Sequence, residues 1–277
     1  MKTLKWFLFF SLAISIAITS CSKNDDDDPG NGPVDNPADT VAIDQLIVYY
    51  KFNGDVTDKN GHTTTEDGVV YTTDRFGNAE SAYKGSADAY AKVSQVDDFF
   101  LGSITMSMWL RAQPLGGGTN FIVSFLDPDI DWNAGYGLWQ EGSSRGDTLR
   151  YKAFTKHAGE LFVWTDTEWG DAREVLFPSS KWFHLVYTYD AGSSERSMYL
   201  NGNMVMQDTA LFEDNLLGAI VVPATATDFY IGKNPNTAHE WLGNYEGDLD
   251  DLRIYDIALT EDQVGWLYEG ENEAESE

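Results

Sequence analysis

The sequence predicts an all-β sandwich closed by one short helix. Three features carry that expectation. Short runs alternate apolar and polar residues, the two-residue period of a half-buried strand. Turn residues break these runs at hairpin-like spacing. Aromatic residues make up 14% of the chain and concentrate in the runs, where broad side chains cover a pleated surface. The 277 residues leave room for one large β-rich core.

Taken in order, the first strand is LIVYYKFN (46–53). SITMSMWLRA (102–111) sets Ile104, Met106, Met108 and Leu110 on one face and Thr105, Ser107 and Trp109 on the other. NFIVSF, YGLWQE, LRYKAF, ELFVWT, WFHLVYTYD and RSMYLNG follow. Asn201-Gly202 is a two-residue hairpin turn, because both residues tolerate positive φ. A closing strand carries Leu249, Leu252, Ile254 and Tyr255. The one clear helix begins at Thr260, which caps EDQVGWLY. Glu261 and Asp262 occupy its first turn, and Val264, Leu267 and Tyr268 form an apolar stripe. Periodicity alone leaves the sandwich topology open.

The flanks read differently. Residues 1–20 hold Lys2, Lys5 and the apolar run FLFFSLAISIAI (7–18), which is too short to span a bilayer and has the layout of a secretory signal. The single cysteine, Cys21, follows directly, so no internal disulfide can form. Residues 21–42, rich in Asp, Pro, Gly and Asn, cannot bury enough apolar surface to order themselves and read as a tether. The folded domain is expected over 43–270, with ENEAESE (271–277) as a disordered tail. The formal charge is −27, and such an acidic surface repels phosphate backbones, which argues against nucleic acid.

Several segments resemble known families. ITSC (18–21) followed by SKNDDDD resembles the lipobox and acidic export tag of Bacteroidetes-type lipoproteins. That resemblance implies lipidation at Cys21, an outer-membrane anchor and display at the cell surface. YKFNGDVTDKNGH, DRFGNAESAYKG, SITMSMWL, KWFHLVYTYD with MYLNG, and GDLDDLRIYDIALTEDQV together resemble, in order, the bacterial laminin G-like, concanavalin A-like domains. The resemblance implies an antiparallel jelly roll, a fold that hosts lectins, adhesion modules and glucanases. It also implies a structural calcium ion between the first loop and the last strand. Asp58 and Asp250 match the acidic positions, with Asn53, Asp55, Asn60 and Gly61 close enough to add oxygens. On strand period, Asp250 shares a face with Leu252 and Ile254 and points coreward. A buried carboxylate there calls for a cation or for a basic partner such as Arg75. Asp248 and Asp251 are free of that constraint and are expected in solvent.

The chain shows no Glu-x-Asp-x-x-Glu string of jelly-roll glucanases, and EWGDARE (168–174) spaces its acids by three, which alternates faces on a strand. HExxH and nucleophile-elbow motifs are absent. His184 reads as a packed core histidine; His62, His157 and His239 lack metal spacing. DPDID (127–131) reads as a solvated acidic loop. These features argue against an enzyme.

Sugar recognition needs aromatic faces and hydroxyl-bonding groups together. The candidates are Trp132, Tyr136, Trp139, Trp164, Trp169, His239, Trp241 and Tyr245, against the alternative that each packs beneath a long loop. Trp109 and Trp182 are assigned to the framework and Trp266 to the helix. The expected function is non-catalytic, calcium-stabilised binding of a glycan or polysaccharide for capture or adhesion. A protein-binding adhesion module is the first alternative, and a diverged glycoside hydrolase or lyase the second.

Overall fold

The computed structural model describes residues 37–112, 118–142, 149–160, 162–166 and 181–273. The expected signal, Cys21 and residues 21–36 of the expected tether therefore lie outside the described residues. Residues 37–42, read from sequence as tether, are instead packed onto the domain with Ala38 and Val41 buried.

Two mostly antiparallel sheets face each other across one core. In the first, strands run in the order Asn203–Thr209, Glu195–Leu200, Trp182–Tyr189, Ile104–Arg111, Asp248–Tyr255, Ala82–Lys84 and Val70–Thr72. The opening strand Leu46–Tyr50 pairs with the closing strand Asp248–Tyr255. In the second, the order is Phe162–Asp166, Leu149–Lys156, Gly135–Gly142, Thr119–Leu126, Phe229–Ile231, Tyr90–Val93 and Thr64–Asp67. Chain-distant segments become sheet neighbours, which is the jelly-roll sandwich that the sequence predicts.

The alternating faces meet as expected. Met106, Met108, Leu110, Phe183, Leu185 and Leu252 from one sheet pack against Ile122, Phe125, Tyr136, Leu138 and Tyr151 from the other. Burial of each such large side chain contributes about 1.5–3 kcal/mol. Asn201 and Gly202 both take positive φ, 49° and 75°, as that turn requires.

The closing strand departs from its alternation. Asp250 pairs with Trp109 and Arg253 with Ser107, so one extra residue is accommodated between them, and Asp251 takes φ of 44°. This is a β-bulge. It corrects the expectation for Asp250: the bulge turns Asp250 and Asp251 together toward the outer face, while Leu249, Leu252 and Ile254 stay in the core. Asp248 and Asp251 are likewise not in solvent. Asp248 accepts from Arg111 Nε at 2.7 Å, and Asp251 from Arg75 Nη2 at 2.6 Å and Tyr49 Oη at 2.8 Å. Asp250 takes the other arm of Arg75 at 2.5 Å.

The C-terminal helix, Glu261–Glu273, lies over this charged face and runs past the expected boundary at residue 270. Glu271, assigned by sequence to a disordered tail, is 1% exposed. Its Oε2 accepts from Trp109 Nε1 at 2.7 Å, and Oε1 lies 2.8 Å from Arg253 Nε. Its carbonyl, one of the four that a helix end leaves without an internal partner, accepts from Arg75 Nη2 at 2.7 Å. Tyr268 stacks on Trp109 at 5.7 Å. Arg75 thus ties the first loops, the closing strand and the last helical turn together. Burial pushes the Glu271 carboxyl up to about 7, against the pull of Arg253.

His184 packs into the same layer, as the sequence predicts. It is fully buried, with Nε2 at 2.8 Å from Ser107 Oγ. Burial, aided by Arg75 and Arg253, depresses its pKa from 6.5 to about 3. The folded state therefore binds fewer protons than the unfolded state between those values, and this group's stabilisation is lost as pH falls from 6.5 toward 3. His184→Gln should flatten that acid limb. Urea unfolding of both proteins at pH 4 and pH 6 checks this, and an equal loss in both would remove His184 as its source.

Candidate ligand-binding face

The outer face of the second sheet carries a separate aromatic layer. Strand period turns Phe121, Trp139 and Phe154 outward while Leu138, Tyr151 and Ala153 face the core. Phe121 and Trp139 are cross-strand partners with rings 5.4 Å apart, and Trp139 lies 5.0 Å from Phe154. Gly137 sits opposite Phe154, where a Cβ would come within 2.6 Å of that ring. Only glycine lets the ring lie down there.

Two loops bring further rings onto this floor. Trp132 packs edge-on against Trp139 at 5.4 Å and 67°. Trp241 stands 5.7 Å from Trp132 at 76°, and His239 lies 5.9 Å from Trp241. Trp241 is 47% exposed, while Trp139 is 2% exposed.

Asparagines and an aspartate hold the two loops in place. Asn236 Nδ2 donates to Pro128 O at 2.9 Å, joining one loop to the other. Asn234 Nδ2 donates to Leu242 O at 3.2 Å, and Asn244 Nδ2 to Ala87 O at 2.7 Å. The carbonyl of Trp241 accepts from Thr119 N at 3.0 Å, beside the short parallel pairing of Leu242–Asn244 with Thr119–Leu126. In DPDID, Asp127 is buried rather than solvated, accepting from Asp129 N at 2.9 Å and from the Thr225 hydroxyl. Asp131 accepts from Trp132 N at 2.7 Å, and its Oδ1 lies 3.8 Å from His239 Nε2. Glu141 and Lys152 pair at 2.8 Å along the floor, with Trp139 Nε1 donating to Glu141. These loops are built, so the rings are oriented before any ligand arrives.

Trp132, Trp139, His239 and Trp241 therefore converge. Tyr136 and Tyr245 do not. Tyr136 points into the sandwich, donating to Phe99 O at 3.0 Å, and Tyr245 is buried with its hydroxyl on Asp248 O at 3.2 Å. Tyr136 occupies the opposite phase of the strand from Trp139, so one residue faces the core and the other the outer layer. The register sets Trp164 opposite Phe154; Trp169 and the acids of EWGDARE lie outside the described residues. Phe121, Phe154, Asn234 and Asn236 belong to the face but were not singled out by sequence. The run NPN, with its i, i+2 asparagines, was the available signal for a loop stapled by Asx turns.

Of the expected calcium donors, Asn53 and Asp250 line one small polar pocket with Asp74, Arg75 and Asp251, while Asp55, Asp58, Asn60 and Gly61 lie outside it. Asp58 and Leu252 lie on opposite edges of the opening strand at Tyr50, which puts the backbone of Asp58 about 9–10 Å from the closing strand. Asp58 Oδ1 accepts from Tyr49 N at 2.8 Å, and its Oδ2 from His62 N at 3.1 Å, with His62 Nδ1 at 2.6 Å. Both carboxylate oxygens of Asp250 are engaged by Arg75 and by Asp251 N. Asp55 accepts from Thr57 N, Gly61 donates its amide to Asp58 O, and Asn60 donates to Leu46 O and Ile47 O. Asn53 is exposed at the rim of the small pocket that Asp250 and Arg75 also line. These residues do not fit a shared calcium; Arg75, the basic partner considered from sequence, takes the place beside Asp250.

The two-sheet architecture defines a jelly-roll β-sandwich, with the aromatic layer on the outer face of its second sheet. The chain belongs to the concanavalin A-like lectin/glucanase superfamily: the family's laminin G-like profile matches residues 84–265. No curated protein matches the chain. Among solved structures, it is similar to the binding domain of Paraclostridial Mosquitocidal Protein 1, with a TM-score of 0.59 and 18% identity over 81% of this chain and 52% of that one. The botulinum neurotoxin serotype D ligand-binding domain, solved with N-acetylneuraminic acid, gives 0.59 and 13% over 84% and 52%. Domain 4 of AbnA, a GH43 extracellular arabinanase from Geobacillus stearothermophilus solved with arabinotriose, gives 0.54 and 21% over 81% and 98%. The chain thus spans about half the length of the first two of these domains and nearly all of the arabinanase domain. At these identities the likeness concerns the fold.

Proposed function

We propose that this chain captures a glycan without cleaving it. One observation carries the reading. Trp241 stands half exposed over a rigid aromatic floor, with the polar groups of Asp131 and His239 beside it. A sugar offers C–H-rich faces to such a ring and hydroxyls to such acceptors and donors, and a preformed site avoids most of the ordering cost. Domain 4 of AbnA and the serotype D toxin domain share the fold and were each solved with a sugar, which supports the reading. The reading assigns no role to calcium in contacting the sugar, because the expected donors lie away from this aromatic face.

The test is a glycan-array screen of the full chain and of Trp241→Ala, each in calcium and in EDTA. Selective binding that survives EDTA and disappears in the variant is the expected result. Binding to no glycan would end the proposal.

A protein partner is the second reading, favoured by the small hairpin at Leu211–Leu216. There Leu211, Phe212 and Leu216 are 53%, 49% and 53% exposed.

The capture domain is further proposed to be held on the outer membrane, at the cell surface, through lipid on Cys21. The support is the ITSC segment and the acidic run after it. Metabolic labelling with an alkynyl fatty acid in a diderm bacterial host should mark the wild type and not Cys21→Ser. An unlabelled wild type would remove the anchor.

A further inference from the structure

The rings of the proposed site make a corner rather than a platform. A platform that follows a polysaccharide needs roughly coplanar rings spaced along the chain's path. Here Trp241 and Trp132 stand at 76° with centroids 5.7 Å apart. Both rings therefore address the same sugar residue, one against its face and the other against its edge. His239, tilted 42° from Trp241 at 5.9 Å, adds a third wall. The corner cannot readily swing open. Trp132 is braced against Trp139 and Phe154, at 5.4 and 6.5 Å, and the Trp241 carbonyl is bonded to Thr119 N.

The charges around the corner select as well. Asp131 has 45% of its side chain exposed beside His239, and Glu240 is exposed next to Trp241. Lys152, on the floor, is held by Glu141 at 2.8 Å. A carboxylate or sulfate on the sugar would meet these acids across a short distance, in a chain of formal charge −27. Neutral hydroxyls suit them, since each carboxylate oxygen is an acceptor for an O–H donor.

Resting on the glycan reading above, we infer that the Trp132–Trp241–His239 corner takes one terminal residue of a neutral glycan, and so recognises chain ends rather than chain interiors.

The experiment is isothermal titration calorimetry of the full chain with arabinotriose, arabinopentaose, cellotriose, cellopentaose and 3′-sialyllactose. End recognition predicts that, within the series that binds, trimer and pentamer agree within about twofold in Kd, because the added residues lie outside the corner. Trp241→Ala and His239→Ala, with unchanged circular dichroism, should each weaken that binding by about tenfold or more. A Kd that tightens about tenfold from trimer to pentamer would overturn end recognition in favour of an extended groove, while leaving glycan capture intact. Sialyllactose binding as tightly as the neutral probes would overturn the neutral-sugar assignment. Wild-type affinity in both variants would move the site elsewhere on the chain. No heat with any probe would count against glycan capture itself as well as this inference.

Discussion

Replacing Arg253 with methionine lowers the free energy of unfolding by about 3–5 kcal/mol, the cost of leaving a buried charge without its partner. Arg253 is 1% exposed; its Nε lies 2.8 Å from Glu271 Oε1, its Nη1 donates to Ala38 O at 3.0 Å, and its guanidinium covers the Tyr49 ring at 3.7 Å. Removing it takes from the Glu271 carboxyl the partner that holds it down to about 7, so that group must take up a proton or stay charged without its partner. It also costs the Ala38 carbonyl one of its donors, so the helix and the first described segment loosen together. The measurement is urea unfolding at pH 7, followed by far-ultraviolet circular dichroism. The double variant Arg253→Met with Glu271→Leu should recover much of the loss, since two apolar groups of similar volume no longer require desolvated charge. A single-variant loss below about 1 kcal/mol would mean that the pair is solvated and the helix docks by packing alone.

The second large effect separates two tryptophans that look alike in sequence. Trp139→Ala should cost about 3–5 kcal/mol of stability, because the ring is buried among Phe121, Phe154 and Trp132 and leaves a cavity when removed. Trp241→Ala should change stability by about 0.5 kcal/mol or less, because half of its ring already faces water, yet it should abolish glycan binding. Thermal melts paired with binding assays read both quantities. If Trp139→Ala folds normally and alone loses the ligand, the floor rather than the corner is the contact surface.

The contrast between these residues shows how far the site was legible. Composition and loop context marked Trp132, Trp139, His239 and Trp241 as a set, and they do converge. The same reasoning admitted Tyr136 and Tyr245, which are buried under other elements. An aromatic near a turn can cap the core or project from it, and the choice depends on strand phase and on neighbours far along the chain. Phe121 and Phe154 carry no such mark, because an outward aromatic on a strand looks like any other strand residue until loops from elsewhere fold over it.

The acidic closing segment carries the same lesson. Asp248, Asp250 and Asp251 announce a charged patch at the start of a strand, but a bulge decides where each carboxylate points, and alternation does not encode a bulge. Their partners Arg75 and Arg111 are more than a hundred residues away in the chain, so the pairing with arginine rather than a cation emerges only on folding. Glu271 sits in a tail of acidic and small residues that by composition belongs in solvent. Tertiary contact with Trp109, Arg253 and Arg75 makes it structural.

Local sequence determined what depends on neighbours within a few residues. That covers the strand faces of Ile104–Leu110, the Asn201-Gly202 turn, the capped helix after Thr260 and the β-sandwich class. Period and turn chemistry are short-range and survive in any tertiary context that buries one face. Only the tertiary structure decided the partners of the buried charges, the shape of the aromatic corner and which tryptophan meets solvent. Each of these is a juxtaposition of segments distant in sequence, and its energy comes from desolvation and packing that exist only when both sides are in place.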